Sequence, residues 1–280
     1  ISQPEPRGIA HAISLAEDFM GDEPFVVYLG DNMLKGGIKE FVKKFQDEIE
    51  WDELLLLYRV EDVALAKRFG VAEIENRKVI RVIEKPEIPT SNLTMPGVYF
   101  FRHMIFDAIK ELKPSARGEL EITEAIQKLI DWNCKVVPQV IDGWWKDTGR
   151  PDDILDANRL VLDDITSDIK GVIENAVVIG RVVLGEDSVI KDSSTVKGPS
   201  LIGDNCTISN TYIGPYTSIG DNCVIENTEV EDSIIMENTR IINAGRIVDS
   251  LIGKDVVIKK GDNLPKGKRL IIGDSSKVVI

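Results

Sequence analysis

The chain has 280 residues, 43% of them hydrophobic, with 47 Asp and Glu against 34 Lys and Arg and a net charge of −13. That is enough apolar material for one large core or two ordinary ones, which excludes a disordered chain. An acidic balance with no basic run excludes nucleic-acid binding as the main activity. Three cysteines make no disulfide framework. No apolar run approaches the length of a membrane span and no signal peptide precedes the first domain, so a soluble, cytoplasmic protein with no membrane partner is expected.

The chain opens on Ile1 and reaches the turn-like QPEPRG within eight residues. Nothing resembling a first strand and glycine-rich turn comes before it, so the first domain is expected to be incomplete at its N-terminus. PFVVYLGD (residues 24–31) is an apolar run with a polar tip, the pattern of a buried strand in a parallel sheet. GIKEFVKKFQDEI follows, with Ile38, Phe41, Val42, Phe45 and Ile49 on one helical face. ELLLLYRV, KVIRVIEKP, GVYFF and KVVPQVI are further strands, the last placed at an edge by Pro138. Helices are expected at His103–Leu112, Leu120–Asp131 and Pro151–Ile165, with Pro151 at a first helical position where its missing N–H loses nothing. Strands alternating with amphipathic helices imply an α/β domain with a mostly parallel sheet over residues 1–168.

From about residue 171 the helical period gives way to an internal repeat. Aliphatic anchors stand at Ile173, Ile179, Leu184, Ile190, Val196, Ile202, Ile208, Ile213, Ile219, Ile225, Val230, Ile235, Ile241, Ile247, Ile252 and Ile258, always five or six residues apart. Two positions before each stands Gly, Ser, Thr, Cys or Val. Glycine follows the anchor at Gly180, Gly185, Gly203, Gly214, Gly220 and Gly253, where a turn needs a permissive backbone. Alternate residues of a short strand share a face, so anchor and small residue both point inward. Three such strands make a triangular coil, and stacked coils close each other's apolar faces. Residues 169–280 are therefore expected to form a parallel β-helix of hexapeptide repeats with all sixteen anchors buried. Cys206 and Cys223, one coil apart in the small inward slot, fit as stacked small hydrophobes.

In an open α/β sheet, ligands bind beyond the carboxyl ends of the strands. Asp31 ends one apolar run, Glu84 and Lys85 end another, and Asp147 lies in WWKDTGR before a helix start. Each acidic residue alone reads as a turn or cap. Together they suit phosphate chemistry, with Asp31 and Asp147 holding Mg²⁺ and Lys85 offsetting phosphate charge.

The strings QPEPRGIAHA, VVYLGDN, RFGVAE, EKP, GVYFF, RGELEITEAI and WWKDTGRPDDIL occur in this order along the chain. Their ordered combination resembles the sugar nucleotidyltransferases, in the long form that carries a C-terminal left-handed β-helix. The resemblance implies nucleotidyl transfer from dTTP to glucose 1-phosphate, with Mg²⁺ as cofactor and catalysis by positioning and charge stabilisation. It implies base recognition by Gln3 and Gly8, and metal binding by Asp31 and Asp147. Gly70, Glu84 and the backbone of Val98 would contact the hexose, and Lys85 the sugar phosphate. The family's glycine-rich loop, GGxGTRL, holds the triphosphate through its backbone amides; no such string occurs in these 280 residues, so the chain by itself is expected to be inactive. Tyr99 and Trp145 are expected near the site, though core packing explains them as well. Alternatives are UTP or another hexose phosphate as substrate, or a binding or regulatory protein without catalysis. An acyltransferase is disfavoured because His11 and His103 both lie outside the repeats and the even stride leaves no room for an extruded loop. The β-helix is then expected to serve homo-oligomerisation.

Overall fold

A computed structural model describes residues 1–261. The chain divides into two units, Ile1–Gly149 and Arg150–Ile280, and the stretch 262–280 of the second lies outside the described residues. The expected second domain, 169–280, runs into that stretch.

The first unit runs α1 (Ile9–Ser14), α2 (Glu17–Met20), β1 (Phe25–Tyr28), β2 (Asn32–Leu34), α3 (Lys39–Asp47), β3 (Glu53–Arg59), α4 (Val63–Ala66), β4 (Val71–Glu75), β5 (Lys78–Ile83), β6 (Leu93–Thr94), β7 (Val98–Phe101), α5 (Met104–Lys110), α6 (Ile122–Asp131), β8 (Val136–Val140) and β9 (Trp145–Asp147). Seven strands form one sheet in the order β1-β7-β3-β6-β4-β5, with β8 on the other side of β3. β2 and β9 form a separate ribbon. Alternate residues of β3 and β7 enter opposite cores. Leu55, Leu57, Tyr99 and Phe101 pack with α1, α5 and α6, whereas Leu54, Leu56, Val98 and Phe100 pack with Phe45 of α3, Trp51 and Trp145. Both faces are covered, which is why these strands read as unbroken apolar runs.

The α/β class holds, but the expected mostly parallel pairing is corrected. Only β3 with β8 is parallel; β7 lies antiparallel between β1 and β3, and β6, β4 and β5 continue antiparallel. A strand buried on both faces gives the same apolar run in either direction, so orientation was not encoded in the pattern. The β4–β5 connection is a two-residue hairpin with Asn76 and Arg77 both at positive φ (50° and 64°), the primed turn that suits strand twist. Pro138 lies, as expected, on an edge strand, since β8 pairs only with β3 among the described residues. Ile49 is also corrected. Helix α3 stops at Asp47 and leaves Ile49 78% exposed, while Phe45 is buried.

Glu53, at the start of β3, is fully buried opposite Phe101 and Val136, and neither carboxyl oxygen has a hydrogen-bond partner. Burial pushes its pKa well above the ordinary carboxyl range. The folded state therefore holds a proton that the unfolded chain releases as pH rises past the ordinary value. Stability is greatest below that value and falls as pH climbs toward the folded-state pKa. Glu53→Leu is expected to raise the melting temperature at pH 8, removing a cost of about 1–3 kcal/mol for an unsatisfied buried group. The gain should shrink as pH falls to about 4. Thermal melts of both proteins from pH 4 to 8 check this; a gap independent of pH would rule out the ionisation account.

The second unit begins with α7 (Pro151–Asp163). This helix belongs to the solenoid by its bonds. Arg159 forms a fork onto Asp232 (2.8 and 2.6 Å) and reaches Asp249 (3.0 Å), and Asn158 donates to the Tyr216 carbonyl (2.9 Å). The division thus falls at 149/150, ahead of the 168/169 boundary expected from the change of period. Among the described residues fifteen short strands follow, β10 (Asp168–Ile169) through β24 (Val257–Lys259). All pair in parallel between successive coils, as in Val172 opposite Val189, Val182 opposite Ser200 and Ser218 opposite Ile234. This is the expected parallel β-helix, consistent with the left-handed form.

Twelve of the sixteen anchors are buried. The expectation fails at four. Ile173 and Ile179 of the first coil are 40% and 53% exposed, and Ile247 and Ile258 of the last described coil are half-buried. A coil at either end of the described stack has a neighbour on one side only. Several inward hydroxyls and thiols donate one coil ahead, Ser188 to the Gly203 carbonyl (2.7 Å) and Cys206 to that of Gly220 (3.1 Å), so the small slot is polar and mostly satisfied, the buried Thr217 hydroxyl being an exception. Cys206 and Cys223 are both free and buried. The glycines after the anchors divide: Gly180 has φ 82°, the permissive backbone expected of a turn, whereas Gly203 and Gly220 serve a different purpose. The left-handed corners are mostly Asn and Asp, such as Asn205, Asn222 and Asn238, while a side chain at Gly203 or Gly220 would strike the backbone of the next coil, at 2.9 and 2.7 Å. Among the described residues no helix is long and apolar enough to cross a membrane.

Candidate active site

The ribbon of β2 and β9 brings Asp31 and Asp147 together from segments remote in the chain. Asn32 pairs with Asp147, and the N–H of Thr148 donates to the Asp31 carbonyl (2.6 Å), as does the Thr148 hydroxyl (2.8 Å). A β-carbon placed on Gly149 would lie 3.2 Å from Asp147 Oδ1 and 3.8 Å from Asp31 Oδ2, so the two carboxylates face one point. Asp147 Oδ1 also accepts from the Gly149 N–H (3.0 Å). Two hard oxygen donors converging beside open space fit Mg²⁺, which takes one or two carboxylates and completes its shell with water and phosphate oxygens. Among the described residues no group of three or more His, Cys, Asp or Glu gathers as a metal cage.

A second cluster lines a cleft of about 620 Å³ at the end of β5 and the start of α6. Glu84 accepts from the Thr123 hydroxyl (3.3 Å) and faces Lys85 (3.5 Å) and Arg117 (3.7 Å). Burial raises the Glu84 pKa against the pull of Lys85; Glu121 adds to the rise and Arg117 opposes it. Lys85 is held at φ 39°, a left-handed conformation that a side chain adopts at some cost, and its N–H donates to the Phe69 carbonyl (3.1 Å). A side chain on Gly70 would meet Thr123 at 2.9 Å and Glu84 at 3.5 Å, so glycine leaves the backbone open beside that carboxylate. Residues 95–97 tie the two clusters together: Met95 N–H donates to the Gly70 carbonyl (2.8 Å), and Gly97 N–H to Asn32 Oδ1 (3.4 Å). Val98, the next residue, is fully buried, its side chain in the core, which leaves only its backbone for a ligand.

Gln3 and Gly8 also meet. The Gln3 amide donates to the Gly8 carbonyl (3.2 Å) and lies 3.1 Å from His11 Nδ1. Gly8 has φ 98°, and a β-carbon there would sit 2.5 Å from the Leu120 carbonyl oxygen, so only glycine permits this approach. Leu120 belongs to the same loop as Arg117, which joins this corner to the Glu84 cleft. The residues expected from the sequence to bind base, hexose and metal thus lie within one unit, connected through the loop of residues 117–120 and through residues 95–97.

Sequence reasoning missed Arg117, Thr123 and Asn32, although RGELEIT and LGDN displayed all three. A basic or small polar residue in such a string is indistinguishable from a surface residue until the fold sets it against Glu84 or Asp31. Trp145 serves both roles considered for it. It packs edge-on against Tyr58 (5.5 Å) and Phe69 (4.8 Å), and its indole N–H donates to Asn32 (2.7 Å). Tyr99 is a core residue stacked on Phe101.

Comparison with known proteins adds an independent line. The Nucleotidyl transferase family profile matches residues 1–164, and that of the GMPPB C-terminal domain matches residues 196–279. The chain is 45% identical over 282 aligned positions to a glucose-1-phosphate thymidylyltransferase of Streptomyces antibioticus, covering 100% of this chain and 78% of that protein. It is 44% identical, over 99% of this chain and 78% of the relative, to the low-salt glycan biosynthesis nucleotidyltransferase Agl11 of Haloferax volcanii. A solved structure of a putative glucose-1-phosphate thymidylyltransferase from Bacillus anthracis aligns with a TM-score of 0.52 at 40% identity; the match covers 59% of this chain and 65% of that one, just under two thirds of its length. The family profile over residues 1–164 and relatives aligned along this whole chain agree: the chain belongs to the nucleotidyl transferase family.

Proposed function

We propose that the chain acts as a sugar-1-phosphate nucleotidyltransferase, with dTTP and glucose 1-phosphate as substrates and Mg²⁺ as cofactor. Homologues at 40–45% identity support sugar nucleotidyl transfer as the class; thymidylyl transfer to glucose is the finer assignment. The observation that carries it is the meeting of Asp31 and Asp147 at one point, joined through residues 95–97 to the cleft of Glu84, Lys85 and Arg117. An oxygen of the sugar phosphate attacks the α-phosphorus of dTTP, a new P–O bond forms, and the bond to the β-phosphate breaks to release pyrophosphate. Such a transfer needs little covalent participation from the protein. Lys85 and Arg117 offset the sugar phosphate charge, and Glu84 with the Gly70 and Val98 backbones holds the hexose. Gln3 and Gly8 receive the pyrimidine. Mg²⁺ held by Asp31 and Asp147 supplies charge stabilisation at the phosphates. The solenoid takes a structural and self-association role.

The test is pyrophosphate release from dTTP with glucose 1-phosphate and Mg²⁺, by the 280-residue chain and by the same chain preceded by a GGxGTRL loop. Turnover is expected from the extended chain alone. Lys85→Ala in that protein should raise KM for the sugar phosphate roughly 10- to 150-fold, the loss of a charge-assisted contact of about 1.5–3 kcal/mol. UTP is run beside dTTP, since the Gln3–Gly8 corner would receive uracil almost as well as thymine. Inactivity of the extended chain with dTTP, UTP and several hexose phosphates would leave a non-catalytic binding protein as the better account.

A further inference from the structure

We infer that Asn32 is a positioning residue for the metal-binding carboxylate of Asp31, and that Trp145 sets its orientation. The inference rests on the metal role proposed for Asp31 and Asp147. Asn32 is only 8% exposed and its side chain bridges three segments. One end lies 2.7 Å from Trp145 Nε1 and 3.4 Å from the Gly97 nitrogen. An indole N–H and a backbone N–H can only donate, so that end of the amide must be the carbonyl oxygen. The other end is then the NH₂ group, and it donates to Asp31 Oδ1 at 2.8 Å. The chemistry of the partners, rather than a choice between two similar atoms, decides which way the amide faces.

The consequence falls on Asp31. Its backbone carbonyl is held by both donors of Thr148, and its Oδ1 is occupied by Asn32. Rotation about the carboxyl bond is therefore restrained, and Oδ2 is the oxygen turned toward Gly149 and Asp147 Oδ1. Without the Asn32 donor the carboxylate is free to rotate, and ordering it on metal binding adds an entropic cost. A turned amide is worse, because it sets an oxygen against the carboxylate. The Trp145 N–H forbids that turn. A residue placed in the aromatic core by its packing thus also decides the polarity of a group one hydrogen bond away from the metal ligand.

The test is a titration of the 280-residue chain with Mn²⁺, following the electron paramagnetic resonance signal of the free ion, with Asn32→Leu, Trp145→Phe and Asp147→Asn alongside. Thermal melting without metal monitors the fold. Asn32→Leu is expected to weaken Mn²⁺ binding about 10- to 100-fold, as for other residues that orient a metal ligand, and Trp145→Phe to weaken it by a smaller factor. Binding by folded Asn32→Leu within twofold of the parent overturns the inference. Should Asn32→Leu fail to fold, Trp145→Phe decides, since it keeps the amide and an aromatic ring and removes the shorter of the two donors that orient it; unchanged affinity there overturns the inference too. Impaired Asp147→Asn with parent-like Asn32→Leu sinks the positioning role alone. A parent and an Asp147→Asn that bind Mn²⁺ equally sink the metal role of the pair.

Discussion

Ile225→Asp is expected to abolish the cooperative thermal transition of the β-helix. Ile225 is fully buried and stacked between Ile208 and Ile241 in successive coils, so a carboxylate there has apolar neighbours on both sides and no route to water. A buried unpaired charge exceeds the loss of a methyl group or a surface contact, and a cost above about 4–5 kcal/mol is the expected range for this mechanism. In a solenoid, stability is shared between neighbouring coils, so the defect should spread along the stack. Ile179→Asp is the matched control. It is an anchor of the same repeat, but 53% exposed in the first coil, and its melting temperature should fall little. Circular dichroism melts of the two variants decide the point; equal effects would mean that stacking is not what holds the coils.

Asp31→Asn should cost the extended chain roughly 10²–10³-fold in turnover, because loss of a metal-holding charge removes several kcal/mol of stabilisation from the transferring phosphates. Asparagine has the size of aspartate, and the Thr148 bonds to the residue 31 carbonyl do not depend on the side chain. The fold should therefore survive and the loss appear in kcat with every sugar tried. Lys85→Ala differs in kind, acting on the sugar phosphate while the two aspartates remain. Steady-state rates over a Mg²⁺ series distinguish the two. Turnover by Asp31→Asn within tenfold of the parent at saturating Mg²⁺ would remove Asp31 from the metal role.

The repeat was legible residue by residue because each coil makes the same local demand. One aliphatic and one small residue must enter the stack every five or six positions, and no distant partner alters that requirement. The family strings were legible for a related reason: Asp31, Glu84, Lys85 and Asp147 lie at strand ends, where polar residues stand out against apolar runs. What the sequence could not supply were the features that depend on which segment lies beside which. The direction of β7 between β1 and β3 leaves no trace in GVYFF, since burial on both faces looks the same either way. The exposure of Ile173 and Ile179 reflects the absence of a preceding coil in the stack, not a change in their own surroundings along the chain. Gly203 and Gly220 were read as turn residues, but the approach of the next coil's backbone, not a left-handed φ, is what excludes a side chain there.

The site divides along the same line. Chemical type, with order along the chain, was enough to nominate the carboxylates and Lys85. Only the tertiary structure decided that Arg117 and Thr123 border Glu84, that Gly149 is the point Asp31 and Asp147 share, and that a tryptophan 113 residues from Asn32 fixes its amide. Hydrogen bonds between segments remote in sequence depend on how the sheet and the β2–β9 ribbon place them, and a periodicity of two or 3.6 residues carries no information about that placement.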